Sequence, residues 1–381
     1  MPASSCGQVD SVSSNSLVLV LGGYGHFGAR ICRALSNTDG IRLVIAGRDA
    51  AQASKLAREL GPQHQGVALD CTASNLAARL RELSVNVVVH TCGPFQGQGY
   101  HVARACVAAG AHYIDLADGR AFVAGINELD DAARERGVLV ASGASTLPAL
   151  SSAVIDEHCE HFARLDAIDI SIAPAQRTPR GVATLEAVLS YCGKPFDAWE
   201  QGRWRAVYGW QDMHRFRYPE IGARWLARCD VPDLQLFPAR YSGVQRVRFD
   251  AGLELALAQG VFWLLAGVVR AGWIANAGRT ARFMQTWGRH FDWMGGDSGG
   301  MHVGLCGADR EGHPARIDWY LVARRGHGPE IPCIPAIVLA RKLAAGNLKA
   351  RGALPCMGLM TLAEFAAAVA HLDISWRTVF S

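Results

Sequence analysis

The chain has 381 residues, a formal net charge of +4, 50% hydrophobic residues and 19% charged ones. That length fits two ordinary domains rather than a small stapled scaffold, and the composition excludes a disordered polymer or a highly charged nucleic-acid tail. Eleven cysteines without a CxxC pair or a ribbon-like spacing predict a reducing compartment, the cytoplasm, and no structural metal.

Residues 1–15 contain no Lys or Arg and no apolar h-region, so they read as a loose polar leader rather than a secretory signal. From residue 17 to 142 the runs LVLVL, IRLVIAG, QGVALD, NVVVHTCG, HYIDL and VLVAS alternate with helix-like segments such as HFGARICRAL and AAQASKLARELG. Six short strands separated by helices predict an α/β fold, a doubly wound parallel sheet of the Rossmann kind, over residues 16–145. After Gly143 this rhythm stops. Strand-like pieces such as QRVRFD, GMHVGLCGAD and ARIDWYLVARRG, mixed with helices, predict an α+β substrate or dimerisation domain over 146–330. Residues 331–381 read as a helical segment, with PAIVLARKLAAG and TLAEFAAAVAHL packing back on the body.

The longest apolar stretch, Leu255 to Val269, is interrupted by Gln259 and falls short of the roughly 20 residues a membrane span needs. It predicts a buried or interfacial helix, with contact at a membrane surface as the alternative.

The sharpest motif lies between the first strand and the first helix, where Gly23, Gly25 and Gly28 form GxGxxG within GGYGHFG. In that context the glycines predict a dinucleotide site rather than a structural turn: Gly23 permits the tight turn, Gly25 lets a pyrophosphate approach the backbone, and Gly28 lets the helix pack on the sheet. Tyr24, His26 and Phe27 belong to the same loop. The second strand ends in Ala46, Gly47 and Arg48 rather than in a carboxylate, and Arg48 can donate paired hydrogen bonds to a 2′-phosphate, which favours NADP(H) over NAD(H). Asp49 either meets a ribose hydroxyl or begins the next helix. Asp70 either lies by the adenine or caps the helix beginning near Ser74. Cys92, Gly93, Pro94 and Phe95 follow the fourth strand where a nicotinamide rests; Phe95 walls the ring or belongs to the core, and Cys92 reads as a buried thiol rather than a nucleophile.

VLGGYGHFG, AGR, the CGPF loop, AGAHYIDLADG at 110–119 and GASTLPALSS at 143–152 resemble the saccharopine dehydrogenase/reductase superfamily, especially its saccharopine dehydrogenase-like oxidoreductase branch. GPEIPCIPAIVLARKLAAG and GALPCMGLMTLAEF resemble the tail of that branch. The resemblance implies an N-terminal NADP-binding Rossmann domain, a second α+β domain covering the cleft, and a homodimer. This chain departs from the family where Tyr113-Ile-Asp115 is followed by Ala117-Asp118-Gly119 instead of Gly-Glu, and where Ala144 and Ser145 stand in place of an aromatic and an acid. The implied activity is therefore an NADP(H)-dependent oxidoreductase of a small or moderately hydrophobic metabolite with a C=O, C=N or activated C=C bond, its substrate open.

Hydride transfer needs an aligned acceptor, excluded water and a proton donor or charge stabiliser. Tyr113 is the candidate donor, with Asp115 or Asp118 orienting it or a substrate amine; the alternative for each is a role in the strand and loop. Arg177, Arg180 and Lys194 are candidates for a substrate carboxylate, against a solvated turn. Arg203, Arg205, Arg215 and Arg217 beside Trp204, Trp210 and Phe216 suit an acyl or aromatic acid or an interface. His101, His302 and His313 form no metal pattern. No compact basic stripe points to nucleic acid. Two other classes compete with the reductase: an inactive nucleotide-responsive scaffold, and a membrane-peripheral reductase of a lipid-linked substrate.

Overall fold

The computed structural model describes residues 15–178, 181–274, 277–280, 284, 286, 288 and 290–381. The six expected strands form: β1 (Ser16–Leu21), β2 (Ile41–Gly47), β3 (Gln65–Ala68), β4 (Val87–His90), β5 (His112–Asp115) and β6 (Leu139–Ser142). They pair in parallel in the order β3-β2-β1-β4-β5-β6. The near-continuous apolar sequences of β1, β2, β4 and β6 follow from burial on both faces, whereas the edge strand β3 is exposed or half-buried. Alternate residues of each strand serve opposite sides. Val18, Val20, Leu43 and Ile45 join one core with Ile31 and Leu35 of helix Gly28–Ser36, while Leu19, Leu21 and Val44 join another with Leu76, Leu80 and Val102.

The chain then leaves for a second sheet. Its strands are β7 (Arg164–Ala173), β8 (Pro195–Glu200), β9 (Arg203–Tyr208), β10 (His214–Tyr218), β11 (Gly222–Arg228), β12 (Arg246–Ala251), β13 (Gly299–Ala308) and β14 (Pro314–Ala323). Strand β7 sits centrally, parallel to β12 and antiparallel to β13. One face, carrying Met301, Val303 and Leu305, packs into the same core as the first sheet. The two sheets therefore share a hydrophobic interior.

The C-terminal segment is more than a pair of helices. Helix Ile334–Ala344 packs beside helix Gly28–Ser36 and β4. Strand β15 (Gly352–Pro355) then adds to β6 in parallel as the seventh strand of the first sheet. Helix Leu362–Val369 starts in a capping box, Thr361 Oγ1 accepting from the Glu364 amide at 3.1 Å. The chain ends in β16 (Ile374–Phe380), antiparallel to β14 at the edge of the second sheet. Strand β15 is a four-residue piece bounded by Gly352 and Pro355. It owes its form to pairing with β6, which local pattern does not reveal.

Helix Ala256–Arg270 corresponds to the apolar stretch. Gln259, Phe262, Ala266 and Val269 are buried, whereas Leu257 is 73% and Leu264 60% exposed. Among the described residues no helix is long and apolar enough to cross a membrane.

Candidate functional site

The loop after β1 is built by close approach. Gly22 takes the left-handed conformation with φ of 76°, so the tight turn falls one residue earlier than Gly23. Gly23 is small for a different reason: a Cβ there would meet Ile45 Cγ2 at 2.8 Å. At Gly28 a Cβ would sit 2.2 Å from the Gly22 carbonyl oxygen, which is backbone and cannot swing aside. The Gly25 amide donates to that same oxygen at 2.8 Å. Helix Gly28–Ser36 has no side-chain cap, and the amides of Tyr24, His26 and Phe27 make no hydrogen bond among the described residues. Unpaired amides at a helix N-terminus are what a pyrophosphate requires.

At the end of β2 the Tyr24 ring covers Gly47, where a Cβ would come within 2.4 Å of it. The Tyr24 hydroxyl accepts from the Asp49 amide at 3.0 Å. Asp49 caps helix Ala50–Leu60, accepting from the Ala51 and Gln52 amides at 2.9 and 3.1 Å. Asp70 holds Thr72 through its amide and hydroxyl at 2.9 and 2.8 Å. Both carboxylates are thus engaged in local turns, and these hydrogen bonds hold each below the usual carboxylate range. Arg48 is exposed beside them and makes no side-chain hydrogen bond or close ion pair among the described residues.

A cavity of about 360 Å³ lies between the C-terminal ends of the first sheet and the inner face of the second. It is walled by the loops after β1, β4, β5 and β6 and by β7, β12 and β13, the crevice in which open α/β sheets hold ligands. Most of the wall is apolar, including Leu147, Ile172, Leu185, Phe249, Phe262 and Met301. Its polar groups are few: His26, Gln96, Asp118, Thr146, Thr178, Tyr191 and Asp230. Among the described residues no arginine or lysine lines it.

Of the three expected catalytic groups, the structure brings only Asp118 to this cavity. Tyr113 is fully buried, with its hydroxyl 3.0 Å from His90 Nδ1. Asp115 is equally buried and accepts from the Gly143 amide at 2.7 Å, the Ala117 amide at 2.9 Å and Ser142 Oγ at 3.0 Å. It fastens the loop after β5 to the end of β6. Asp118 accepts from Gln96 Nε2 at 3.1 Å. Its carboxylate is open to water through the cleft, yet surrounding protein raises its pKa against the opposing Gln96 bond.

Two further groups were not singled out from the sequence. Burial, with Cys229 beside it, raises the Tyr191 hydroxyl well above its usual pKa, so it keeps its proton. Burial also raises Asp230, opposed by the Arg120 guanidinium, whose Nη1 lies 3.0 Å from Asp230 Oδ1. Nothing in the sequence around Tyr191 marks it; only the return of the second domain over the cleft places it there.

The CGPF loop divides. Phe95 is buried against His90 and Phe122, with ring centroids at 5.2 and 5.3 Å, and is a core aromatic outside the cavity wall. Gly93 and Pro94 shape the turn that delivers Gln96, the residue after Phe95, to the cavity. Cys92 is half-buried beneath Gly22, where a Cβ would stand 3.0 Å from its Sγ. His26 and Phe27 belong to the phosphate loop and also wall the cavity, joining the two halves of the site.

Of the expected anchors for a carboxylate, neither of the two that are described lines the cavity. Arg177 is exposed and donates to the carbonyls of Asp292 and Trp293 at 3.3 and 3.5 Å, bracing a loop. Lys194 lies outside the cavity wall. Arg180 falls outside the described residues. His101 bonds the Ala73 carbonyl at 3.1 Å, His302 bonds Asp318 at 2.7 Å, and His313 lies at an exposed hairpin.

Residues 18–160 match the model of the saccharopine dehydrogenase NADP binding domain. No curated protein sequence matches the chain. Among solved structures, the fold is similar to an apo saccharopine dehydrogenase (L-Glu forming) from Saccharomyces cerevisiae, with a TM-score of 0.65 at 14% identity over 96% of this chain and 100% of that one. It is also similar to a homospermidine synthase from Legionella pneumophila in complex with NAD, with a TM-score of 0.59 at 9% identity over 97% of this chain and 92% of the other.

Proposed function

We propose that this NADP(H)-dependent oxidoreductase, whose residues 18–160 belong to the saccharopine dehydrogenase NADP binding domain family, acts on a predominantly apolar metabolite held in the cavity between its two sheets. The observation that carries the reading is the wall itself: apolar over most of its area, without a described arginine or lysine, and continuous with the phosphate loop through His26 and Phe27. A polar substrate with two or three carboxylates would find no cationic partner among the described residues of that wall.

The unpaired amides of the loop and the close-packed Gly28 fit the pyrophosphate, and Arg48 suits a 2′-phosphate. The bound cofactor supplies or accepts a hydride. The protein orients the acceptor against apolar walls, excludes water, and offers a proton from Tyr191, whose hydroxyl stays neutral, with Asp118 beside the acceptor. Gln96 and Arg120 position Asp118 and Asp230 respectively. A single-turnover assay with NADPH against panels of apolar ketones, imines and conjugated enones tests the proposal. Oxidation of the cofactor coupled to reduction of an apolar acceptor supports it, and turnover confined to charged amino or keto acids rejects it.

A second reading places this enzyme on a lipid surface. Helix Ala256–Arg270 turns Phe262 toward the cavity and Leu257, Val261 and Leu264 outward. Trp273 and Trp293 are also highly exposed, at 82% and 75%. One helix thus separates an apolar cavity from an apolar surface, as a peripheral reductase of a lipid-linked substrate needs. Flotation with anionic liposomes tests it; recovery of all protein in the unbound fraction counts against it. A homodimer and a cytoplasmic location complete the proposal, the first tested by sedimentation velocity and the second by cell fractionation.

A further inference from the structure

We infer that Cys71, His90 and Cys92 form a binding site for a thiolate-preferring divalent cation, zinc foremost, beneath the phosphate-binding loop. The two sulfurs and an imidazole nitrogen lie within 4.8 Å of one another. In a tetrahedral zinc site with bonds of about 2.0–2.3 Å, ligand atoms stand roughly 3.3–3.8 Å apart. Rotation of the two half-buried cysteine side chains is the adjustment that this geometry asks for.

The histidine supplies the independent observation. His90 is 1% exposed, and among the described residues its Nε2 has no hydrogen-bond partner. Its Nδ1 is 3.0 Å from the Tyr113 hydroxyl. With the ring proton on Nδ1 donated to the tyrosine oxygen, Nε2 carries a free lone pair in a buried site. That is the tautomer of a metal ligand held by an outer partner. Without a ligand the same nitrogen is an orphaned buried polar atom, an uncommon state in a folded protein.

Topology explains why no sequence pattern announced the cluster. Strands β3 and β4 are separated in the sheet by β2 and β1. The segment after β3 must therefore cross the C-terminal ends of both to bring Cys71 to Cys92. A cation there ties this crossing to β4, directly under Gly22, where a Cβ would stand 3.0 Å from Cys92 Sγ. Three protein donors leave one position for water or an external donor, and coordination releases the remaining thiol protons to solvent. The inference does not depend on the substrate proposed above.

Cobalt(II) titrated into the reduced, metal-free full chain tests it. The expected result is one equivalent bound, with a thiolate-to-cobalt charge-transfer band and the visible bands of a four-coordinate ion, both displaced by zinc. Cys71→Ser weakens the charge-transfer band and lowers affinity at least about 100-fold, while Tyr113→Phe, which removes the outer partner, lowers affinity about tenfold. Far-ultraviolet circular dichroism verifies that each variant is folded; Cys71 is only half-buried, so its serine variant keeps the test valid if a change at the buried tyrosine unfolds the chain. Absence of the band in the wild type, or an undiminished band in the folded Cys71→Ser/Cys92→Ser protein, overturns the site.

Discussion

Arg120 Nη1 stands 3.0 Å from Asp230 Oδ1, and the same nitrogen donates to the Asp197 carbonyl at 2.6 Å. Arg120 belongs to the helix after β5 and both partners to the second domain, so one guanidinium closes the cleft and lines up a cavity carboxylate. Arg120→Ala leaves Asp230 partly buried and unpaired. We predict a loss of about 2–4 kcal/mol in stability and a further rise in the Asp230 pKa. Asp230→Asn keeps an acceptor for the arginine and costs less. Chemical denaturation of both variants checks the order; equal losses would remove the argument that charge, rather than shape, matters here.

We propose that cofactor choice rests on Arg48. Asp49 and Asp70 are occupied by their own turns, so the exposed guanidinium is the charged group left at the end of β2. Arg48→Ala is predicted to weaken NADPH binding by about 10–100-fold, the worth of charge-assisted hydrogen bonds to a phosphate, and to leave NADH nearly unchanged. Calorimetric titration of both nucleotides decides it. An equal loss for both would move the 2′-phosphate contact elsewhere. Gly28→Ala, by contrast, abolishes binding of both, because its Cβ would lie 2.2 Å from a backbone oxygen.

The first sheet was legible because each strand is a short apolar run and each helix a separate periodic segment, so β1 to β6 and the glycine loop follow from local pattern. The seventh strand was not, since Gly352–Pro355 becomes a strand only by pairing with β6. Strand β16 carried a usable signal, Ile374, Trp376 and Thr378 alternating with polar or small residues, which the preceding helix overshadowed. The candidate catalytic groups show the same division. Tyr113 and Asp115 occupy a conspicuous motif, yet the pleat turns them into the core. Tyr191, Asp230 and Gln96 have no distinguishing neighbours and meet only when the second sheet folds over the first.

Tyr191 is therefore the group whose removal should slow chemistry. Tyr191→Phe is predicted to lower kcat by about 100-fold or more, the usual scale of general acid catalysis, while the NADPH dissociation constant stays within about twofold. Pre-steady-state reduction of an apolar acceptor separates the two quantities. A variant with unchanged kcat would transfer the proton-donor role to Asp118.

Asp233 sets a pH dependence of stability that lies outside the cavity. It is fully buried, its Oδ1 accepts from Ser151 Oγ at 2.5 Å, and Oδ2 has no hydrogen-bond partner in the described structure. Burial raises its pKa to about 7. In the unfolded chain the same group titrates near about 3.9. The folded state thus binds the extra proton between these values, and its stabilisation is complete below about pH 4 and lost as pH rises through 7. We predict that the wild type loses about 2–3 kcal/mol between pH 5 and 8 from this group alone. Asp233→Asn retains the acceptor for Ser151 without the ionisation, so its denaturation midpoint should match the wild type below about pH 4, exceed it at pH 5 and exceed it by more at pH 8. Parallel midpoint curves for the two proteins across that range would show that Asp233 does not titrate there.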